Sequence, residues 1–248
     1  MNTQNDYTIL RNALDVARNA YGCKQAHVGV LRHMQSLTHN VLGTNGSSDV
    51  ASKSSIEFDY NRFTPQANAP SEILKAEADG FIATHLRFSL IRRLTGATVL
   101  VEQQLPQFFA NPRVFTSATQ ATRLNQIYNG GSLVFEVAGN KWNKEGLSAK
   151  SFERIQLLNQ GLQIVADTAD ETLPVTAQDG LFDGAFPLIP GFMFGGKQSN
   201  KAIIQLARSV SFADTDTATT EYIAILETIG IYCPNVSLQL DEQNLPSL

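Results

Sequence analysis

From Ser55 onward the apolar residues of this chain recur mostly at every second position, and strands do not alternate with long helices. Ile56, Phe58 and Tyr60 alternate with Glu57, Asp59 and Asn61, the period of a strand with one face buried. A longer run sets Ile82, Thr84, Leu86, Phe88 and Leu90 against Ala83, His85, Arg87, Ser89 and Ile91, as on a regular strand. The turn Asn129-Gly130-Gly131 leads into Leu133-Val134-Phe135-Glu136-Val137, a β-branched and aromatic run. Further strands are expected at residues 98–102, 162–166, 202–212, 221–233 and 236–240. The segment from Tyr222 to Tyr232 is apolar on both faces for most of its length, which fits a strand covered on both sides. Short helices are expected at residues 71–76 and 118–128, and residues 181–196, rich in Pro and Gly, read as long loops with strand fragments. The lack of long helices between successive strands argues against a parallel βαβ sheet. The predicted fold is mainly β: an antiparallel β-sandwich or jelly roll, of one barrel or two, with an N-terminal helical segment.

The first 43 residues follow a different period. Leu10, Leu14, Ala17 and Tyr21 recur at spacings of three and four, with Thr8 available as an N-cap. Val28, Leu31, Met34, Leu37 and Val41 continue at helical spacing up to Gly43. Two helices broken near Gly22 are therefore expected, forming an arm over residues 1–43. A flexible connector follows at residues 44–55, where Gly43-Thr44-Asn45-Gly46-Ser47-Ser48-Asp49 is rich in turn formers, and the β body is expected over residues 56–248.

Charge narrows the partners. Only 17% of residues are charged, with 19 Lys+Arg against 23 Asp+Glu, so no chain-wide basic footprint for nucleic acid exists. Arg87, Arg92 and Arg93 are the only basic concentration, and they read as a solvated edge or an inter-subunit salt bridge. Cys23 and Cys233 stand 210 residues apart and read as two unrelated free thiols. The N-terminal residues lack a basic segment followed by an apolar one, and no run reaches 18 apolar residues. Synthesis in a cytoplasm is the expectation.

No motif points to a catalytic, cofactor or metal site. Gly191-Phe192-Met193-Phe194-Gly195-Gly196-Lys197-Gln198 has the spacing of a phosphate-binding loop, but Gln198 stands where a magnesium-ligating hydroxyl belongs. Its aromatics suit a core or contact surface between strands. His27, His33 and His39 recur at spacings of six, which on one helix scatters the imidazoles around the axis. Cys23 and His27 meet the i, i+4 spacing of a metal pair, yet two ligands do not close a structural site. Asp179-Gly180-Leu181-Phe182-Asp183-Gly184 departs from the EF-hand spacing, and acids at turns are commonly turn formers.

A positive pattern remains. Ser, Thr, Asn and Gln total 70 residues, giving a neutral polar surface, while loops such as residues 107–112 and 186–194 are more apolar than free loops need to be. These features favour a self-assembling structural protein over an enzyme. The order of long strand, Asn129-Gly130-Gly131 turn, Leu133-Val134-Phe135-Glu136-Val137-Ala138-Gly139 and the 221–233 strand resembles the jelly-roll major capsid proteins of tailless, internally membraned bacteriophages. The resemblance covers about the last two-thirds of the chain and includes no diagnostic motif. It implies a capsid shell subunit, a homotrimer that contacts other virion proteins, assembled in a host cytoplasm and resident in the virion. It also leaves room for membrane contact through the N-terminal helices, and it carries no catalytic residue. About ten strands are legible where two full eight-stranded barrels need sixteen, which sets one barrel against two. A carbohydrate-binding or spike-like β-sandwich stays open, with Trp142 and Tyr128 as its platform. A jelly-roll hydrolase stays open too, and would need Asp167, Asp179 or Asp183 to converge with His85.

Overall fold

The computed structural model describes residues 3–37, 53–60, 79–94, 107–109, 126–127, 130–137, 139–141, 146–148, 181–182, 185–195, 199–210 and 220–235. Among the described residues, helix α1 (Thr3–Asn19) is followed by strands β1 (His27–Ser36), β2 (Lys53–Asp59), β3 (Gly80–Leu94), β4 (Gln107–Phe109), β5 (Gly131–Val137), β6 (Asn140–Lys141), β7 (Leu147–Ser148), β8 (Phe186–Gly195), β9 (Asn200–Val210) and β10 (Thr220–Cys233). The fold is mainly β, as the alternation predicts.

All strand pairs are antiparallel and form two five-stranded sheets. The first runs β1-β10-β3-β4, with β8 also paired to β3; the second runs β2-β9-β5-β6, with β7 also paired to β5. The pairing is nested along the chain. Among the described strands β1 pairs with β10, β2 with β9, and β3 with β8.

Residues of both sheets meet in one hydrophobic cluster. Leu31, Phe81, Leu86, Phe88, Phe192, Phe194 and Leu226 come from the first sheet, and Ile56, Phe58, Leu133, Phe135, Ala202 and Ile204 from the second. Aromatic rings link them: Tyr60, just past β2, lies 4.8 Å from Phe194, and Phe135 of β5 lies 4.7 Å from Phe192. Aromatic pairs at these separations add to simple area burial.

A second cluster lies on the opposite face of the first sheet, under α1. Leu10, Ala13 and Ala17 pack with Ile82, Ile229, Ile231 and Cys233. The helix ends where the sequence dictates. Gly22 has φ +65°, and the Cys23 amide reaches back to the Ala17 carbonyl at 3.0 Å. This hydrogen bond closes the helix end around a left-handed glycine, the residue type favoured just past a helix C-terminus.

Four expectations need correction. The second helix is strand β1, whose whole length pairs with β10. Both of its faces contribute to packing, since Leu31 belongs to the inter-sheet cluster while Val30 packs in the cluster beneath the helix, so alternation is hidden. The helix itself lies on the first sheet rather than standing off it as an arm. Residues 186–195 form a ten-residue strand instead of loops. Pro187 is accommodated because β8 lies at a sheet edge, where one row of amides needs no ladder partner. Finally, β3 does not alternate strictly. Its register with β10 shifts so that His85 faces Ile229 while Ala83 faces Gly230, leaving Thr84 as an inserted residue. The bulge moves Leu86 and Phe88 onto the core face with Phe81 and Ala83.

The strand expected at residues 221–233 is β10, and that at 202–212 is represented by β9. Strands expected at residues 98–102, 162–166 and 236–240, the helix at 71–76, and residues 44–52 of the connector lie outside the described residues. So does most of the helix expected at 118–128.

Candidate functional site

The chemistry-bearing side chains among the described residues gather in four places, three of them on the helix-covered face of the first sheet. At the bulge, His85 is fully buried beside α1. Its Nε2 faces Asp6 Oδ1 at 3.4 Å, and its Nδ1 lies 2.9 Å from Thr84 Oγ1. Burial lowers the imidazole pKa, against the opposing influence of Asp6. A neutral ring with its proton on Nε2 donates to Asp6 and accepts from the Thr84 hydroxyl, for which the Ile229 carbonyl at 3.1 Å is the alternative acceptor. Phe182 closes the ring's face at 4.7 Å and in turn meets Tyr7 edge-on at 5.1 Å. The arrangement has the residue types of an acid–base relay but no open side for a substrate. It pins the first turns of the helix to the sheet.

On the same face, Glu227 of β10 receives two guanidinium groups. Arg32 of β1 contacts Oε1 at 2.7 Å, and Arg87 of β3 pairs with Oε2. Arg87 is therefore part of a buried intramolecular pair, which corrects its reading as a solvated edge. Farther along, the thiols of Cys23 and Cys233 are both free and both buried. The fold brings them together: the Cys23 thiol lies 3.9 Å from the carbonyl oxygen of Pro234, the residue after Cys233, while the Cys233 thiol donates to the Ile231 carbonyl at 3.9 Å. Burial, and then the neighbouring Cys23, push the Cys233 thiol up to about 12. Tyr21, whose hydroxyl is buried without a partner, is raised by burial and by Cys233.

The fourth place lies between the sheets. His33 of β1 is buried with its ring 4.3 Å from that of Tyr60, and neither imidazole nitrogen has a hydrogen-bond partner among the described residues. Burial lowers its pKa to about 4, with Asp59 acting in the opposite direction. The Tyr60 hydroxyl is 2.6 Å from Thr228 Oγ1, and burial raises the phenol strongly.

An open apolar trough completes the picture. It has a volume of about 390 Å³ and is lined by Phe135, Gly146, Leu147, Phe186, Pro187, Leu188 and Ile189. Ile189 is 77% exposed at its rim.

Several sequence candidates are placed by these contacts. The phosphate-loop-like segment is strand β8 through Gly195, and Phe192 and Phe194 belong to the inter-sheet core. His27 begins β1, with its Nδ1 at 3.0 Å from the Gln25 carbonyl and its ring 5.4 Å from that of Tyr232. His39, Tyr128, Trp142, Asp167, Asp179 and Asp183 lie outside the described residues. Among the described residues no three His, Cys, Asp or Glu side chains gather as a metal-holding group. No helix among them is long and apolar enough to cross a membrane. The thiol pair, the unpartnered His33 and the trough have no signal in the linear sequence, because nested pairing of distant strands assembles them. Comparison with family models, with curated proteins and with solved structures gave no match.

Proposed function

We propose that this chain is a single jelly-roll subunit that self-assembles into a shell, as a bacteriophage capsid protein does. The observation that carries the reading is the nested strand order. Pairing of β1 with β10, β2 with β9 and β3 with β8 among the described strands is the pattern of one long hairpin wound into two facing sheets. Jelly rolls of this kind serve as viral capsid and lectin domains. One barrel suffices for the ten strands among the described residues.

The surface supports assembly over catalysis. His33, His85, Tyr60 and Cys233, the groups whose chemistry burial perturbs most, are packed inside the molecule. Among the described residues, Ile189 and the open trough beside it present a hydrophobic surface of the sort that marks protein contacts. The apolar-loop expectation for residues 186–194 narrows accordingly, with Phe192 and Phe194 serving the core and Ile189 the surface. A charged fraction of only 17% keeps the cost of desolvating such a surface low. In this reading the partners are further copies of the chain, forming trimers, together with other virion proteins. Negative-stain microscopy of concentrated protein tests it. Regular oligomers or particles, reduced in number by Ile189→Asp, are expected. Uniform single subunits would refute the proposal, and saturable binding to a glycan array by such subunits would favour a lectin-like module.

A further inference from the structure

We infer that Cys23 and Cys233 form an oxidisable dithiol whose disulfide fastens the end of helix α1 to the end of strand β10. Three features of the fold position this modification site, independently of any assembly role. The left-handed Gly22 turns the chain sharply past the helix, and a hydrogen bond from the Cys23 amide to the Ala17 carbonyl fixes the Cys23 backbone. Pairing with Gly80 of β3 fixes the Cys233 backbone in the strand. Both sulfurs then fall in one buried cluster, with the Cys23 thiol held at the Cys233–Pro234 linkage.

The oxidant is a low-molecular-weight disulfide such as glutathione disulfide. The Cys23 thiolate attacks one of its sulfurs, breaking that S–S bond, forming a mixed disulfide and releasing one glutathione thiolate, which takes a proton. The Cys233 thiolate then attacks the Cys23 sulfur and releases the second glutathione. The protein loses two protons and two electrons, and one glutathione disulfide becomes two thiols. Cys23 attacks first because it sits in the turn, whereas Cys233 lies inside the strand ladder. Burial of both sulfurs makes opening of the helix end the gate to reaction, so the reduced pair is inert towards brief exposure and oxidises slowly.

The test compares the full chain, native and in 8 M urea, equilibrated in a series of glutathione redox buffers. Equilibrium is approached from both the reduced and the oxidised protein. Acid quench, mass spectrometry and non-reducing peptide mapping then give the ratio of Cys23–Cys233 disulfide to dithiol. Because the fold holds the thiols together, that ratio is expected to be about 100-fold higher in the native protein than in the unfolded chain at the same buffer poise. Cys23→Ser and Cys233→Ser controls should yield no intramolecular product. A native ratio no greater than the unfolded one would overturn the inference. So would predominance of glutathione adducts or of disulfide-linked dimers.

Discussion

Because His33 is buried without a hydrogen-bond partner among the described residues, acid should destabilise the fold through this one side chain. An unfolded histidine titrates near 6.5, whereas burial holds His33 at about 4 in the native protein. Between those values the unfolded chain binds the extra proton, so stability rises with pH. The contribution is therefore fully present above about pH 6.5, falls as pH drops through that value, and is exhausted below about pH 4. At about 1.4 kcal/mol per pKa unit, the loss between pH 7.5 and 4.5 is about 2–3 kcal/mol. With a urea dependence of about 2 kcal/mol/M, the unfolding midpoint should drop by about 1 M. His33→Phe keeps an aromatic ring against Tyr60 and removes the titration. Urea unfolding of both proteins at the two pH values isolates the effect, since any packing cost of Phe cancels within each protein. Wild type should lose about 1 M more of its midpoint on acidification than His33→Phe. Equal losses in the two proteins would refute the reasoning.

Other sites give sharp expectations by the same assay at neutral pH. Glu227→Ala leaves the buried Arg87 guanidinium without its carboxylate and should cost about 3–5 kcal/mol, whereas Arg32→Ala, removing the half-exposed partner, should cost about 1 kcal/mol or less. Tyr60→Phe deletes the buried 2.6 Å hydrogen bond to Thr228 and should cost about 1–3 kcal/mol. Gly230→Ala would place a methyl carbon 1.9 Å from the Ile82 carbonyl oxygen opposite the β3 bulge, so soluble yield and thermal midpoint should both fall sharply.

How much of this was legible in the sequence depended on whether one face or two is covered. β2 announced itself because Ile56 and Phe58 are buried while Glu57 is exposed. The helix was equally plain from Leu10, Leu14 and Ala17, and Gly22 marked its end. β1 was misread because its inner face meets the second sheet and its outer face lies beside α1, so apolar residues fall on both sides and mimic a helical spacing. β8 was hidden by Pro187, Pro190 and its glycines, which weaken a strand pattern but are tolerable at an edge. The Thr84 bulge leaves no local trace, yet it decides that His85 faces Asp6. The thiol pair was least legible of all: residues 210 apart become neighbours only because β1, directly after Cys23, pairs with the final strand.

Self-assembly through the apolar surface at β8 is tested most directly by the mass of the protein in solution. Size-exclusion chromatography with light scattering should give three times the 27.1 kDa chain mass, or more, as concentration rises. Ile189→Asp should return it towards a single chain. A wild-type protein that remains at 27.1 kDa up to its solubility limit would contradict the account.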